Sequence, residues 1–239
     1  MIRRLLLSYF ILFVLLCAPP VAAKPLVADL SDTKIEITTS FSGTRLLLFG
    51  AINEPGDVVV VVRGPDVLEA VRKKQRVGGI WVNGRARVFE NAPGYYYVAS
   101  SKPLGDIASA QTLRDYSIGY GSFELLHDGE FRDALIRLKE ARELYVRRDA
   151  SVKVIDDSLF RAELSFPSSV PTGPYRAEVH LFRNGRHINT YAKQLRVRKV
   201  GVEAAVFNFA HTHSALYGII AVLIALVAGW TAGAVFRRT

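Results

Sequence analysis

The sequence predicts a mainly β protein with some α. It comprises two antiparallel β-sandwich-like regions joined by a helical segment, and one C-terminal transmembrane helix. Three observations predict this. Lys34 to Ser100 and Val152 to Val200 consist of short branched or alternating apolar runs, cut by Gly, Pro and Asn-Gly. Between them, Phe131, Ala134, Leu135, Leu138, Ala141, Leu144 and Tyr145 recur at the helical spacing of three and four. Finally, Ser214 to Phe236 holds no charged residue and is long enough to cross a hydrocarbon core of about 30 Å as a helix.

In chain order, Arg3 and Arg4 precede an apolar run from Leu5 to Ala18, and Val21-Ala22-Ala23 places small residues before Lys24. This is the layout of a cleaved signal peptide over residues 1–23; the alternative is an uncleaved N-terminal anchor. Cys17 is the sole cysteine, and Leu16 sits where a lipoprotein signal needs a small residue. Cleavage removes the only thiol, so the exported part has to cohere through an apolar core without disulfides.

Residues 24–105 form the first β region. Lys34 to Thr39 alternates, and Arg45 to Ile52 and Asp57 to Val62 are strand-like runs separated by Asn53-Glu-Pro-Gly56. Ile80-Trp81-Val82 lies between Gly78-Gly79 and Asn83-Gly84, which suits a short strand, and Gly94 to Ser100 is rich in Tyr and Val. Asp66 to Arg76 fits either one helix face or an extended basic strand; the flanking strands favour the strand.

Residues 106–150 form the helical connector, with Ser122 as cap, Glu124 and Asp128 near the helix start, and Arg142, Arg147 and Arg148 near its end. One or two helices here either bridge two domains or cover one sheet. Residues 151–202 return to β: Ser158 to Phe166 alternates, Pro167 to Pro174 is a loop, and Asn184-Gly185 joins Tyr175–Phe182 to His187–Arg198 as a hairpin. A juxtamembrane segment, 203–213, leads to the transmembrane helix at 214–236 and a cytoplasmic stub at 237–239.

Charge sets orientation and limits partners. The formal net charge is +9, of which Arg3, Arg4, Arg237 and Arg238 belong to the two ends. The remaining excess suits a body resting near anionic head groups and does not call for nucleic acid. Arg237 and Arg238 directly after the span place the C-terminus in the cytoplasm and the body in the periplasm. The bilayer is therefore the first expected partner.

Chemistry-bearing constellations are scarce. The chain has no phosphate-binding Gly-rich loop, no Gly-x-Ser-x-Gly elbow and no His-Glu-x-x-His. Asp156 with Asp157 and Glu130 with Asp133 are carboxylate pairs of the kind common on surfaces. His211 and His213 would need a further ligand to hold a metal. No catalytic residue, cofactor or metal is expected.

Three sets of residues stand out as binding candidates. Arg63, Arg72, Lys73, Lys74 and Arg76 form the densest basic cluster, suited to an anion, an acidic partner or a lipid surface; the alternative is a solvated edge strand. Trp81 with Tyr95, Tyr96 and Tyr97 suits a binding surface; the alternative, favoured for Trp81, is packing in the core. Tyr95 and Tyr97 share one strand face and Tyr96 takes the other. In the span, Ala221, Ala225, Gly229 and Gly233 recur every four residues as a small-residue seam, while Tyr217 and Trp230 lie towards the two membrane interfaces.

Several motifs together carry a resemblance. These are Gly79-Ile80-Trp81-Val82-Asn83, Pro93-Gly94-Tyr95-Tyr96-Tyr97 before Ser100-Ser101-Lys102-Pro103-Leu104, and Val170-Pro171-Thr172-Gly173-Pro174-Tyr175. Leu216-Tyr217-Gly218, Gly229-Trp230 and Phe236-Arg237-Arg238 add to them. The set resembles the putative transmembrane protein family of alphaproteobacteria over nearly the whole exported chain. The resemblance implies an inner-membrane protein of a Gram-negative bacterium, brings no catalytic residue with it, and suggests a sulfite-exporter-like permease as partner.

The expected function is that of a non-enzymatic accessory or assembly partner of another membrane protein, or a self-associating one. A periplasmic anion- or solute-binding accessory domain is the alternative, and a membrane-anchored hydrolase a more distant one.

Overall fold

The computed structural model describes residues 25–123 and 129–236. Residues 1–23, expected as a signal peptide, Glu124 and Asp128, expected near a helix start, and Arg237 and Arg238 lie outside the described residues.

Ten of the strands form two sheets. The first has the order β1 (Leu26–Leu30), β3 (Gly43–Ile52), β10 (Leu159–Pro167), β9 (Lys153–Ile155), all antiparallel. The second has the order β2 (Lys34–Ile37), β12 (Arg186–Lys199), β11 (Gly173–Arg183), β4 (Asp57–Arg63), β7 (Tyr96–Ser100), β8 (Tyr145–Arg148). Its four central strands are antiparallel, and β2 and β8 join the edges in parallel. The remaining strands, β5 (Asp66–Val77) and β6 (Ile80–Pro93), form a separate hairpin.

The two β regions expected from sequence interleave. β3 pairs with β10 and β4 with β11, so each sheet takes strands from both sides of the helical segment, and one core cluster spans them. The order is that of an immunoglobulin-type sandwich, and Tyr175 supplies its tyrosine corner: at the start of β11 its hydroxyl donates to the Pro171 carbonyl at 2.6 Å. The described residues include no cysteine, so apolar burial and hydrogen bonding hold the sandwich together.

β4 explains the layering. Val58 to Val62 are all buried, on both faces of the strand. Such a run needs cover on two sides, and each buried Val contributes about 1.5–3 kcal/mol relative to exposure. The first sheet covers one side. The connector, with α1 (Leu104–Ile107), α2 (Ala110–Asp115) and a 3₁₀ turn at Tyr120–Ser122, lies against the other; its Leu104, Ile107, Leu113 and Ile118 join the common core.

The tyrosines follow the strand alternation. Tyr95 and Tyr97 reach the first sheet, where their hydroxyls donate to the Ser165 and Glu163 carbonyls at 2.6 and 2.7 Å. These bonds cap the edge of β10 beyond the short β9. Tyr96 points to the connector and donates to the Ser117 carbonyl at 3.1 Å.

Three local expectations are corrected. The helical period from Phe131 to Tyr145 yields α3 over Gly129–Glu140 only. Glu143 takes φ 55°, the chain turns, and Leu144 and Tyr145 enter the core as β8 joins the sheet edge. Ile80 begins a strand of 14 residues, not three, because Asn83-Gly84 is absorbed beside a register shift at Arg72/Lys74 rather than making a turn. Trp81, expected to pack, is 68% exposed, since the hairpin that carries it runs off the sandwich.

The C-terminal part holds α4 (Val202–Thr212) and α5 (Ser214–Phe236). α5 contains a stretch, Ser214–Gly233, long and apolar enough to cross a membrane, none of it buried by the rest of the chain.

Candidate functional site

The β5–β6 hairpin is the most exposed element of the body. It prolongs the β4–β7 pair: Gly64 N–H donates to the Tyr95 carbonyl at 2.9 Å, and Gly94 N–H to the Pro65 carbonyl at 2.7 Å. Glycine is needed at both positions. A Cβ on Gly64 would lie 2.8 Å from the Tyr175 ring, and one on Gly94 2.9 Å from Pro171.

The hairpin base rests on α3. Val71, Phe89, Ala92 and Leu135 form a small second core, and Lys139 and Lys73 pair with Glu69 and Glu130 at 2.6 and 2.8 Å. Beyond this support the hairpin stands free. Gly78 and Gly79 take φ 58° and 88°, as a two-residue type I′ turn requires.

The structure brings Arg72, Lys73, Lys74 and Arg76 together on this distal half. Arg63 stays at the base, paired with Asp66 at 3.1 Å. Two residues missed from sequence, Arg85 and Arg87, join the patch from β6. Their i, i+2 spacing next to the basic run was a usable signal, hidden by the expectation that the strand ends at Val82. At the tip, Arg76 faces Trp81 across the ladder and Val77 faces Ile80.

A second cationic feature could not be seen in the sequence. A groove of about 580 Å³ between the sheet edges is lined by Arg45, Arg148, Lys153 and Arg161, with Glu163 and Tyr97. Lys153 and Arg161 are direct cross-strand partners, and like charges so placed repel. Among the described residues, none of the four cations forms an ion pair.

A buried histidine cluster lies on the outer face of the second sheet. Thr190 Oγ1 bridges His180 Nδ1 at 2.9 Å and His187 Nε2 at 2.7 Å, and Tyr116 stacks on His187 at 3.8 Å. His180 is buried, and its Nε2 has no hydrogen-bond partner among the described residues; Glu178 Oε2 is 3.8 Å away. Burial, then the neighbouring His187 and Arg176, pushes the His180 pKa down from 6.5 to about 4, so the ring is neutral at pH 7. Among the described residues, no group of three or more His, Cys, Asp or Glu is arranged to hold a metal. His211 and His213 sit at the end of α4, exposed, with His211 Nδ1 3.0 Å from the Phe207 carbonyl oxygen.

On α5, Ala221, Ala225, Gly229 and Gly233 fall on one helix face, and a Cβ added at either glycine would meet nothing within 4 Å. Tyr217 and Trp230 are exposed towards its two ends.

Comparison with protein families places this architecture. The model described as "Putative transmembrane protein (Alph_Pro_TM)" matches residues 25–238. The chain belongs to the putative transmembrane protein family. With its single described apolar span, this member of the putative transmembrane protein family is a membrane protein whose α5 contacts lipid. No curated protein matches the chain.

Proposed function

We propose that this chain is a non-enzymatic accessory protein of the bacterial inner membrane, with its sandwich in the periplasm, that assembles with another integral membrane protein through α5. The observation that carries this reading is the seam of Ala221, Ala225, Gly229 and Gly233, which has open space at both glycines. Lipid supplies no hydrophobic drive between helices, so close backbone approach over small residues is a main source of association there. Arg237 and Arg238 support the orientation. A sulfite-exporter-like permease is the partner the family resemblance suggests; a second copy of the chain is the other.

Crosslinking in native membranes, followed by mild-detergent purification, tests the reading. The expected result is a stoichiometric complex that Gly229→Leu with Gly233→Leu disrupts. Recovery as a monomer only, unchanged by the double substitution, would reject it.

A second reading, an anion-binding accessory domain, is favoured by the groove of Arg45, Arg148, Lys153 and Arg161, where the opposed Lys153 and Arg161 lack a neutralising partner.

A further inference from the structure

The chain leaves the sandwich for the membrane at the same end as the basic hairpin. β12 and β4 both run antiparallel to β11, with Val197 opposite Gly173 and Arg63 opposite Arg176. The last residues of β12 and β4 therefore lie at one pole of the sheet. They are two strands apart, about 10 Å. From β12 the chain passes through Val200 and Gly201 into α4 and the span. From β4 it passes through Gly64 and Pro65 into the hairpin, whose ladder continues that of β4 and β7. Both elements therefore start from the pole that the anchor ties to the bilayer.

The lengths agree with this. The 11 residues of α4 measure about 16 Å as a helix. The 12 residues of β5 measure about 40 Å as a strand. A hairpin leaning well away from the membrane normal still reaches the head groups.

Its composition matches a bilayer surface. From Arg72 to Val88 the hairpin carries Arg72, Lys73, Lys74, Arg76, Arg85 and Arg87 and no carboxylate. Lys73 pairs with Glu130; among the described residues Arg72, Lys74 and Arg85 form no ion pair. The tip is apolar and uncovered: Val77, Ile80 and Trp81 are 57%, 67% and 68% exposed. Tryptophan and aliphatic side chains at the end of a cationic shaft suit the boundary between head groups and acyl chains.

We propose that the hairpin is a second membrane contact, with Val77, Ile80 and Trp81 seated in the outer interface of the anchoring bilayer and Arg72, Lys74, Arg76 and Arg85 on anionic head groups. It works beside the α5 anchor and fixes which way the sandwich faces above the membrane. It does not depend on the identity of any α5 partner.

The full chain with Trp230→Phe retains Trp81 as its only tryptophan. Reconstituted in nanodiscs of phosphatidylglycerol, Trp81 is expected to show blue-shifted emission and quenching by bromine-labelled acyl chains. The effect should weaken in phosphatidylcholine and in high salt. Each cation near an anionic surface multiplies binding by about fivefold, so replacing Arg72, Lys74 and Arg85 with Gln should lower the seating equilibrium constant about a hundredfold. Equal access of an aqueous quencher to Trp81 in anionic nanodiscs and in detergent would overturn the proposal. Protection of Trp81 in native membranes but not in pure anionic nanodiscs would also overturn it, in favour of a protein partner.

Discussion

Lys139 on α3 and Glu69 on β5 meet at 2.6 Å, with the lysine side chain 4% exposed and the glutamate side chain 30% exposed. The ammonium also lies 5.9 Å from the centre of the Tyr145 ring. This ion pair and the Val71–Phe89–Ala92–Leu135 cluster fasten the hairpin to the body.

The unequal burial predicts an unequal response to substitution. Glu69→Leu strands a buried ammonium and should cost about 3 kcal/mol. Lys139→Met leaves a carboxylate that water already reaches, and its methylene chain is replaced by an apolar one, so the cost should be about 1 kcal/mol. Chemical denaturation gives the ranking, and hydrogen exchange should show the loss concentrated in β5 and β6. The reverse ranking would mean that the pair does not hold the hairpin.

Much of this architecture was legible in the chain, and the exceptions have physical causes. Asp57 to Val62 announced a strand, Asn184-Gly185 a hairpin turn, and Ser214 to Phe236 a span, because each signal is local. That β4 pairs with β11 was not legible, since both are apolar runs with several acceptable neighbours. Leu144 and Tyr145 continued a helical period by coincidence, and sheet pairing beside Tyr96 and Tyr97 overrode it. Residue type favours packing for Trp81, yet what decides its exposure is that β5 and β6 outrun the helix supporting them. The basic run at Arg72 to Arg76 was visible. The groove was not, because Arg45, Arg148, Lys153 and Arg161 converge only through tertiary pairing.

That convergence gives the next prediction. Lys153 and Arg161 face each other on β9 and β10, and direct like-charge pairs cost a few tenths to about 1 kcal/mol. Lys153→Glu should therefore stabilise the anion-free protein by about 0.2–1 kcal/mol. A dianion seated between the two cations would relieve the same repulsion. Sulfate or sulfite should raise the wild-type melting temperature above chloride at equal ionic strength, and Lys153→Glu should remove the difference. Equal responses in chloride and sulfate would reject the anion-binding reading while leaving the charge-repulsion result standing.

The His180 cluster predicts how stability depends on pH. In the fold, burial holds the His180 pKa at about 4, against 6.5 in the unfolded chain, and His187 is lowered in the same direction, again mainly by burial. The unfolded chain therefore takes up the proton first as pH falls. Stability from this source is fully present above pH 6.5 and is lost between about 6.5 and about 4. The loss reaches about 3 kcal/mol for His180 alone, an upper figure because Glu178, 3.8 Å from Nε2, would partly accommodate the imidazolium. Arg176 and His187 oppose that charge, and Tyr116, Phe182 and Thr190 complete the surroundings of the ring. His180→Gln keeps a polar group facing Thr190 and removes the titration, so its stability should vary less than that of the wild type across this window. Denaturation series at pH 7, 6, 5 and 4.5 measure the difference. Parallel profiles for the two proteins would show that His180 accepts its proton in the fold as readily as in the open chain, and that the cluster is less closed to water than its packing indicates.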